Sequence, residues 1–435
     1  MLRSRPVTVL DVRALNRATL ARQLLLDRAE VPALDAVAHL GGLQAQEPQE
    51  PFVGLWSRLR GFEASELSGL LTGRRVVRAH LMRRTVHLVT ADDLLAWRSR
   101  HDAMLRQRVL GVYRRELAGI DLGELKSAGE ELMSDGEPRS MGTLARELAG
   151  RRPEPGPRAL GEMLLAALIP VVQLPPRGLW RTKGGVRNTL VTSWLGRDVD
   201  PLPADGSDPV GRALVRRYLT AYGPAATADL RAWSGLAGLP AAVAAMRGEL
   251  VSFRDERGRE LLDLPCLPRP DAATPAPVRF LPAFDNAVLG YHDRGRVIDD
   301  AHRGLSVTGA RVVLVDGRVA ATWGFEDAAV VVAPLRRFSR ADRAAVAEEG
   351  VLLRRSSPTG TVTVYGSTRP DRHTPDGPSA GWNCGRTGLV SSRLGPEFHL
   401  EFPQGSGRAP RWFRTGFLRI RQCAFRAGDM RKARV

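Results

Sequence analysis

The sequence predicts an α+β protein, mainly α with small β-sheets: three tandem winged-helix units followed by a small β-barrel-like C-terminal domain. Three observations predict it. A pattern of helices followed by a hairpin occurs three times. A Pro- and Ala-rich break follows at 268–277. Beyond it lie short apolar strands, two of them joined by the turn signal Asp316-Gly317. The length of 435 residues also exceeds what one hydrophobic core usually organises.

In the first unit, 1–120, apolar residues at three- and four-residue steps predict a helix from Val12 to Leu26. Pro32 opens a second helix that Gly41-Gly42 stops near Leu40. Helices at Phe52 to Leu59 and Ala64 to Leu71 follow, then strands at Val76 to Leu81 and Thr85 to Val89. The second unit, 121–205, reads as helices Leu122 to Met133, Met141 to Leu148 and Arg158 to Leu168. Strands Val171 to Leu174 and Gly178 to Thr182 follow, turned by Pro175-Pro176-Arg177. The third, 206–267, reads as helices Pro209 to Ala221, Ala226 to Trp233 and Ala241 to Arg247. Its strands are Leu250 to Arg254 and Glu260 to Leu264, across Asp255-Glu256-Arg257-Gly258. Three helices and a two-stranded wing make a winged helix, a helix-turn-helix variant. The β-rich part, 268–353, comprises Val278 to Phe284, Ala310 to Val315, Arg318 to Trp323, Ala328 to Pro334 and a closing helix, Arg340 to Glu348. Residues 354–435 turn to Ser, Gly, Pro and Arg without sustained periodicity: a basic, mostly disordered tail, and also what an aberrant extension of the reading frame would look like.

Several function classes are excluded. No segment approaches the roughly 20 apolar residues of a membrane span. The start, Met-Leu-Arg-Ser-Arg-Pro, leads into a polar helical pattern with no apolar signal core, so the cytoplasm is the expected compartment. Cys266, Cys384 and Cys423 are far apart, and the eight histidines are scattered, so neither a disulfide framework nor a metal site is expected. There is no P-loop, no Rossmann glycine fingerprint after a strand and no G-x-S-x-G elbow, and no cofactor is expected.

The net charge of +17 invites a nucleic-acid reading, but fifteen Arg and Lys against five Asp and Glu from Val351 onward account for ten of the seventeen. Only Lys126, Lys183 and Lys432 are lysine, which a coding bias toward Arg explains as well as phosphate binding does. Near the hairpins, Arg74, Arg75, Arg78, Arg83, Arg84, Arg177 and Arg181 are the candidate phosphate contacts, with solvated surface charge as the alternative for each. His80 and His87 lie in the first hairpin, as site-lining or phosphate-contacting residues or as packed wing histidines.

One local element stands out, Gly41-Gly42-Leu43-Gln44-Ala45-Gln46-Glu47-Pro48. The glycines end a helix and the proline favours extended backbone before it. Residues two apart then share a face, so Gln44 and Gln46 point one way and Leu43 and Ala45 into the core. Spacing alone leaves a surface turn as the alternative to a catalytic pair.

The runs LNRATLARQLLL, VAHLGGLQAQEPQEPFVGLWSRL, VVRAHLMRRTVHLVTADDLLAW, VRFLPAFDNAVLGYHDR and RVVLVDGRVAATW resemble the AlkZ-like winged-helix DNA glycosylases over about residues 8 to 350. The resemblance implies three tandem winged helices around a concave DNA-binding face with an appended β-domain. It implies catalytic roles for Gln44 and Gln46, on a motif of glutamine, an apolar residue, then glutamine or aspartate. Asp285, Asn286 and Tyr291 match a further family motif and are possible site-lining residues, a backbone-bonding turn being the alternative.

The Gln-x-Gln branch is linked to excision of alkylated purines from double-stranded DNA. In some members it is linked to unhooking of interstrand crosslinks, a form of self-resistance to an alkylating natural product. Two neutral amides suit a leaving group that needs no acid, and an N7-alkylated guanine already carries a positive charge. Lys126 and Lys183 lack an apolar pocket and Lys432 lies in the tail, so simple hydrolysis is expected and not a Schiff-base lyase step. The competing class is a non-enzymatic winged-helix DNA-binding protein or transcription regulator. Such a regulator dimerises to read half-sites, whereas three winged helices in one chain offer a DNA-sized cleft as a monomer.

Overall fold

Residues 8–151, 156–326, 329–355 and 362–364 are described in the computed structural model of the chain. After β1 (Val9–Leu10), Asp11 caps a helix at Val12–Arg22, its carboxylate accepting the Ala14 N–H at 2.6 Å. That helix stops at Arg22 and not at the expected Leu26. Leu24 takes a left-handed φ of 57°, and the N–H groups of Leu25 and Leu26 both turn back to the Leu20 carbonyl. The turn delivers Leu25 to a cluster with Leu281, Val297 and Leu314. Burying a leucine is worth about 1.5–3 kcal/mol, against a few tenths for another helical residue.

The rest of the first segment follows the expected order: helix Ala33–His39, β2 (Leu43–Gln44), helices Glu50–Trp56 and Ala64–Thr72, then β3 (Val76–His80) and β4 (Val86–Thr90). A 23-residue helix at Ala91–Tyr113 was not expected. Thr90 caps it through Oγ1, 3.0 Å from the Asp93 nitrogen, and Asp92 and Asp93 sit at its positive end.

The second segment has helices Leu122–Leu132, Met141–Arg151 and Pro157–Met163, the last running into a π-helical turn at Leu164–Leu168. Its hairpin corrects the sequence reading: β5 (Val171–Gln173) pairs with β6 (Asn188–Leu190), not with residues 178–182. Those residues turn back on themselves and pack the partly buried Leu179 and Trp180 against the first segment's apolar side chains, Trp180 lying 4.9 Å from Phe52. Gln49 secures this loop, donating to the Leu179 carbonyl at 3.0 Å and accepting the Arg181 N–H at 2.8 Å.

The third segment holds helices Pro209–Tyr222, Thr227–Ser234 and Leu239–Ala245, with β7 (Val251–Asp255) and β8 (Glu260–Asp263) as its hairpin. Beyond it lie β9 (Arg279–Leu281), β10 (Val312–Val315), β11 (Arg318–Glu326), β12 (Ala329–Pro334), a helix at Arg340–Arg355 and β13 (Val362–Val364). These strands form one sheet in the order β13-β12-β11-β10-β9, with no pairing between β13 and β9 among the described residues. Among the described residues it runs as an open row, one of the two arrangements, barrel-like or open sheet, that the strand pattern allows. β13 lies within the stretch read as a mostly disordered tail and pairs in parallel with β12. The remainder of the tail lies outside the described residues.

The α+β class holds, with three small sheets, and no described helix is long and apolar enough to cross a membrane. The segments are interlocked. One sheet, β2-β4-β3-β5-β6, joins first and second across the pair Arg78↔Gln173, and β1 pairs with β7 of the third. A single apolar cluster includes Val77 and Val89, Leu160 and Leu164, and Tyr218, Trp233 and Tyr291.

Two buried ion pairs tie distant parts together. Arg58 binds both oxygens of Asp285 at 2.9 and 2.8 Å, and Arg22 binds both oxygens of Asp263 at 2.6 and 2.7 Å. Removing one partner leaves the other charge buried and unpaired. Asp263→Ala is therefore expected to lower stability by about 3–5 kcal/mol in urea unfolding; a loss below about 1 kcal/mol, the scale of an exposed pair, would contradict this.

Candidate active site

The Gln-x-Gln element sits on β2, an edge strand paired with β4 through Leu43↔Leu88 and Gln44↔His87. The Ala45 N–H extends the pairing to the Val86 carbonyl at 2.8 Å. Gly42 makes the entry possible: its φ is 87°, and a Cβ there would stand 2.6 Å from Val89 Cγ1. The expected alternation is present, since Leu43 and Ala45 join a cluster with Phe52, Leu55 and Leu88. Gln44 takes the opposite face, beside His87. The two carboxamides differ in depth, Gln44 being 9% exposed and Gln46 open to solvent. Gln46 Oε1 accepts the Val86 N–H at 3.2 Å, while Gln44 Oε1 accepts from Arg83 Nη2 at 2.8 Å.

Arg83 is the hub of a polar cluster under the sheet edge. It occupies the turn between β3 and β4 with a φ of 57°, uncommon for a residue with a Cβ, and this aims its guanidinium inward. Besides Gln44, Nη2 reaches Asn286 Oδ1 at 3.1 Å and His87 Nε2 at 3.3 Å, and Nη1 donates to the Trp233 carbonyl. No carboxylate hydrogen-bonds to it among the described residues. Burial lowers its pKa to about 10, so it stays charged at neutral pH.

His87 Nδ1 lies 3.1 Å from the Thr85 carbonyl oxygen, so Nδ1 carries the proton and Nε2 offers its lone pair to Arg83. Burial first, then the charge of Arg83, hold the His87 pKa well below the usual value, and the ring is neutral.

The other expected site residues separate. Asn286 belongs to the cluster, its Nδ2 reaching the Gly42 carbonyl at 3.4 Å. Asp285 is the buried partner of Arg58 and caps the short helix Asn286–Leu289 through the Ala287 N–H at 2.8 Å. Tyr291 is fully buried, donating to the Tyr222 carbonyl at 2.8 Å and accepting from Thr19 at 2.9 Å. It packs in the core with Tyr222.

The arginines expected at phosphates also divide. Arg78 is buried beneath the Gln-x-Gln element, where Nη2 donates to the Ala45 carbonyl at 2.9 Å while Nε and Nη1 are sealed in without partners. Burial, with the nearby charge of Arg177, lowers its pKa to about 10. Arg84 pairs with Glu162 at 3.2 Å, and Arg177 donates to the Gly184 carbonyl at 3.2 Å. Arg74 lies over the Trp194 ring. Arg75 and Arg181 are exposed, Arg181 over the Trp180 ring at 5.3 Å. His80, on β3, has its pKa lowered to about 4 by burial and by Arg84 and Arg98. A cleft of about 440 Å³ opens at the Thr90 end of β4, lined by Asp35, Arg75, Asp92 and Arg217 among others, and touches neither glutamine. Gln49 and the Trp233 carbonyl were missed from sequence, the first hidden as a third glutamine in Gln44-Ala45-Gln46-Glu47-Pro48-Gln49, the second a backbone atom without sequence signal.

The fold is that of a DNA glycosylase of known structure: it is similar to Streptomyces sahachiroi DNA glycosylase AlkZ, with a TM-score of 0.68 and 21% sequence identity over 82% of this chain and all of that one. The family described as DNA glycosylase AlkZ-like matches residues 37–355, and the chain belongs to it. No curated protein matches by sequence.

The neutral buried histidines make stability depend on pH. His101, also fully buried, has its pKa lowered to about 4. The unfolded chain takes up protons at these rings near pH 6.5, and the native chain does so only at lower pH. Stability is therefore intact above about 6.5 and falls as pH drops toward 4, with a slope of about 1.4 kcal/mol per pH unit for each such ring. Urea unfolding between about pH 6 and 5 is expected to show this fall; stability unchanged or rising as pH drops through that window would contradict it.

Proposed function

We propose that the chain is a monofunctional DNA glycosylase that hydrolyses the N-glycosidic bond of cationic, N7-alkylated purines in double-stranded DNA, with Gln44 and Gln46 as its catalytic residues. The observation that carries this reading is the absence of a general acid among the groups bonded around Gln44. Arg83 is a guanidinium with a pKa near 10, His87 is neutral with its one proton on a carbonyl, and Asn286 is an amide. None of these three groups, the ones bonded around Gln44 among the described residues, can protonate a departing base. A base that already carries positive charge leaves without that help, as neutral 7-alkylguanine, and the sugar becomes oxocarbenium-like.

What the protein then supplies is placement of a water against that sugar. Gln46 is exposed, and its oxygen is fixed by a backbone N–H that leaves the second lone pair for a water. The same reading takes the three helical segments, 1–120, 121–205 and 206–267, as tandem winged helices facing DNA, with 268–353 appended. It takes the exposed Arg75 and Arg181 as phosphate contacts and the protein as a monomer. Repair of alkylation damage, with crosslink unhooking and self-resistance as its narrower forms, is the role that follows.

Release of 7-methylguanine from alkylated duplex DNA tests it. Wild-type protein is expected to release the base, and Gln46→Ala to do so slower by about 100-fold or more, the order of cost of losing one placed group. No release by the wild type, or equal release by both, would overturn the assignment; DNA binding without release would favour the non-enzymatic reading.

A further inference from the structure

We propose that Arg83 is a positioning residue: it holds the Gln44 carboxamide with its oxygen inward and its amino group toward the substrate, so that Gln44 acts as a hydrogen-bond donor to an acceptor atom of the damaged nucleotide. The proposal rests on the catalytic reading of Gln44 above and refines it by dividing the two amides between donor and water-holding roles.

A guanidinium has donors and no acceptor, so the end of the Gln44 amide that meets Nη2 at 2.8 Å must be the oxygen. Nε2 is then turned away. It takes no hydrogen bond among the described residues, and it is not among the polar atoms sealed from solvent without a partner. Arg83 cannot easily swing aside to release the oxygen. The Trp233 carbonyl, Asn286 Oδ1 and His87 Nε2 hold the same guanidinium, and its backbone is committed to a left-handed turn.

The His87 tautomer completes the arrangement, because an imidazolium would present a proton to Arg83 where the neutral ring presents a lone pair. With no carboxylate bonded to it, the guanidinium keeps its full charge beside the amide. That charge draws electron density toward Oε1 and makes the Nε2 protons stronger donors. The oxygen of Gln46, bonded among the described residues to one backbone N–H, is left as the better water acceptor.

Arg83→Met and Arg83→Lys test the inference by single-turnover release of 7-methylguanine and by affinity for the same duplex at several salt concentrations. Arg83→Met is expected to bind DNA with unchanged affinity and salt dependence and to release the base about 100-fold more slowly. Millimolar guanidinium is expected to restore part of the rate where sodium at equal ionic strength does not, and Arg83→Lys to retain an intermediate rate. Weaker binding with a shallower salt dependence would make Arg83 a phosphate contact and overturn the proposal. An unchanged rate, or a loss that neither guanidinium nor lysine relieves, would overturn it too.

Should the wild type itself release no base, the glycosylase reading falls, and Arg83 is examined without turnover. In ¹⁵N-histidine spectra the His87 Nε2 resonance is expected to move toward the free, unbonded position in Arg83→Met. An unmoved resonance would refute the network.

Discussion

The pairing of β2 with β4 is the constraint on which the site depends. Only two residues of β2 are strand, yet Leu43 and Ala45 are both buried, and this sets the register. A slip of one residue would push Gln44 into the apolar cluster and turn Leu43 and Ala45 out of it. Two arginines then fix the element from opposite directions: Arg78 reaches the Ala45 carbonyl, and Arg83 reaches the Gln44 side chain. The backbone and the Gln44 amide are thereby held in one arrangement by the fold itself.

The buried charges fall into two kinds. Arg22 and Arg58 each meet an aspartate through both oxygens, and these pairs link parts of the chain more than two hundred residues apart. Arg78 and Arg83 meet carbonyls, amides and a neutral imidazole instead, without a bonded carboxylate among the described residues. Uncompensated cations are costly to bury, and both lie against the same short element.

Much of the fold could be read from local pattern, and the exceptions have physical reasons. The alternation at Leu43-Gln44-Ala45 was readable because strand faces repeat every two residues. The helix at Ala91–Tyr113 carried its own start signal, Thr90 followed by Asp92 and Asp93, but Arg98, Arg100, Arg106 and Arg108 dilute its apolar stripe. The second hairpin differs from its local pattern because Pro175-Pro176-Arg177-Gly178 has turn chemistry, whereas packing of the partly buried Leu179 and Trp180 against another segment decides where that chain goes. The site was harder still. Arginines in a hairpin look like surface charge, and what draws Arg83 inward, the Trp233 carbonyl and Asn286, lies 150 and 203 residues away. No local signal carries that information. The Gln-x-Gln element stands out by its local pattern, but its catalytic reading comes only from the family resemblance, since spacing explains a shared face and says nothing about chemistry.

The central claim is that a site without a general acid depends on the charge its substrate already carries. The most direct measurement compares single-turnover release of 7-methylguanine and of hypoxanthine, a neutral purine, from otherwise identical duplexes. The account predicts release of the cationic base and none of the neutral one. Release of hypoxanthine at a comparable rate would mean that the protein protonates its leaving group, and would contradict the account.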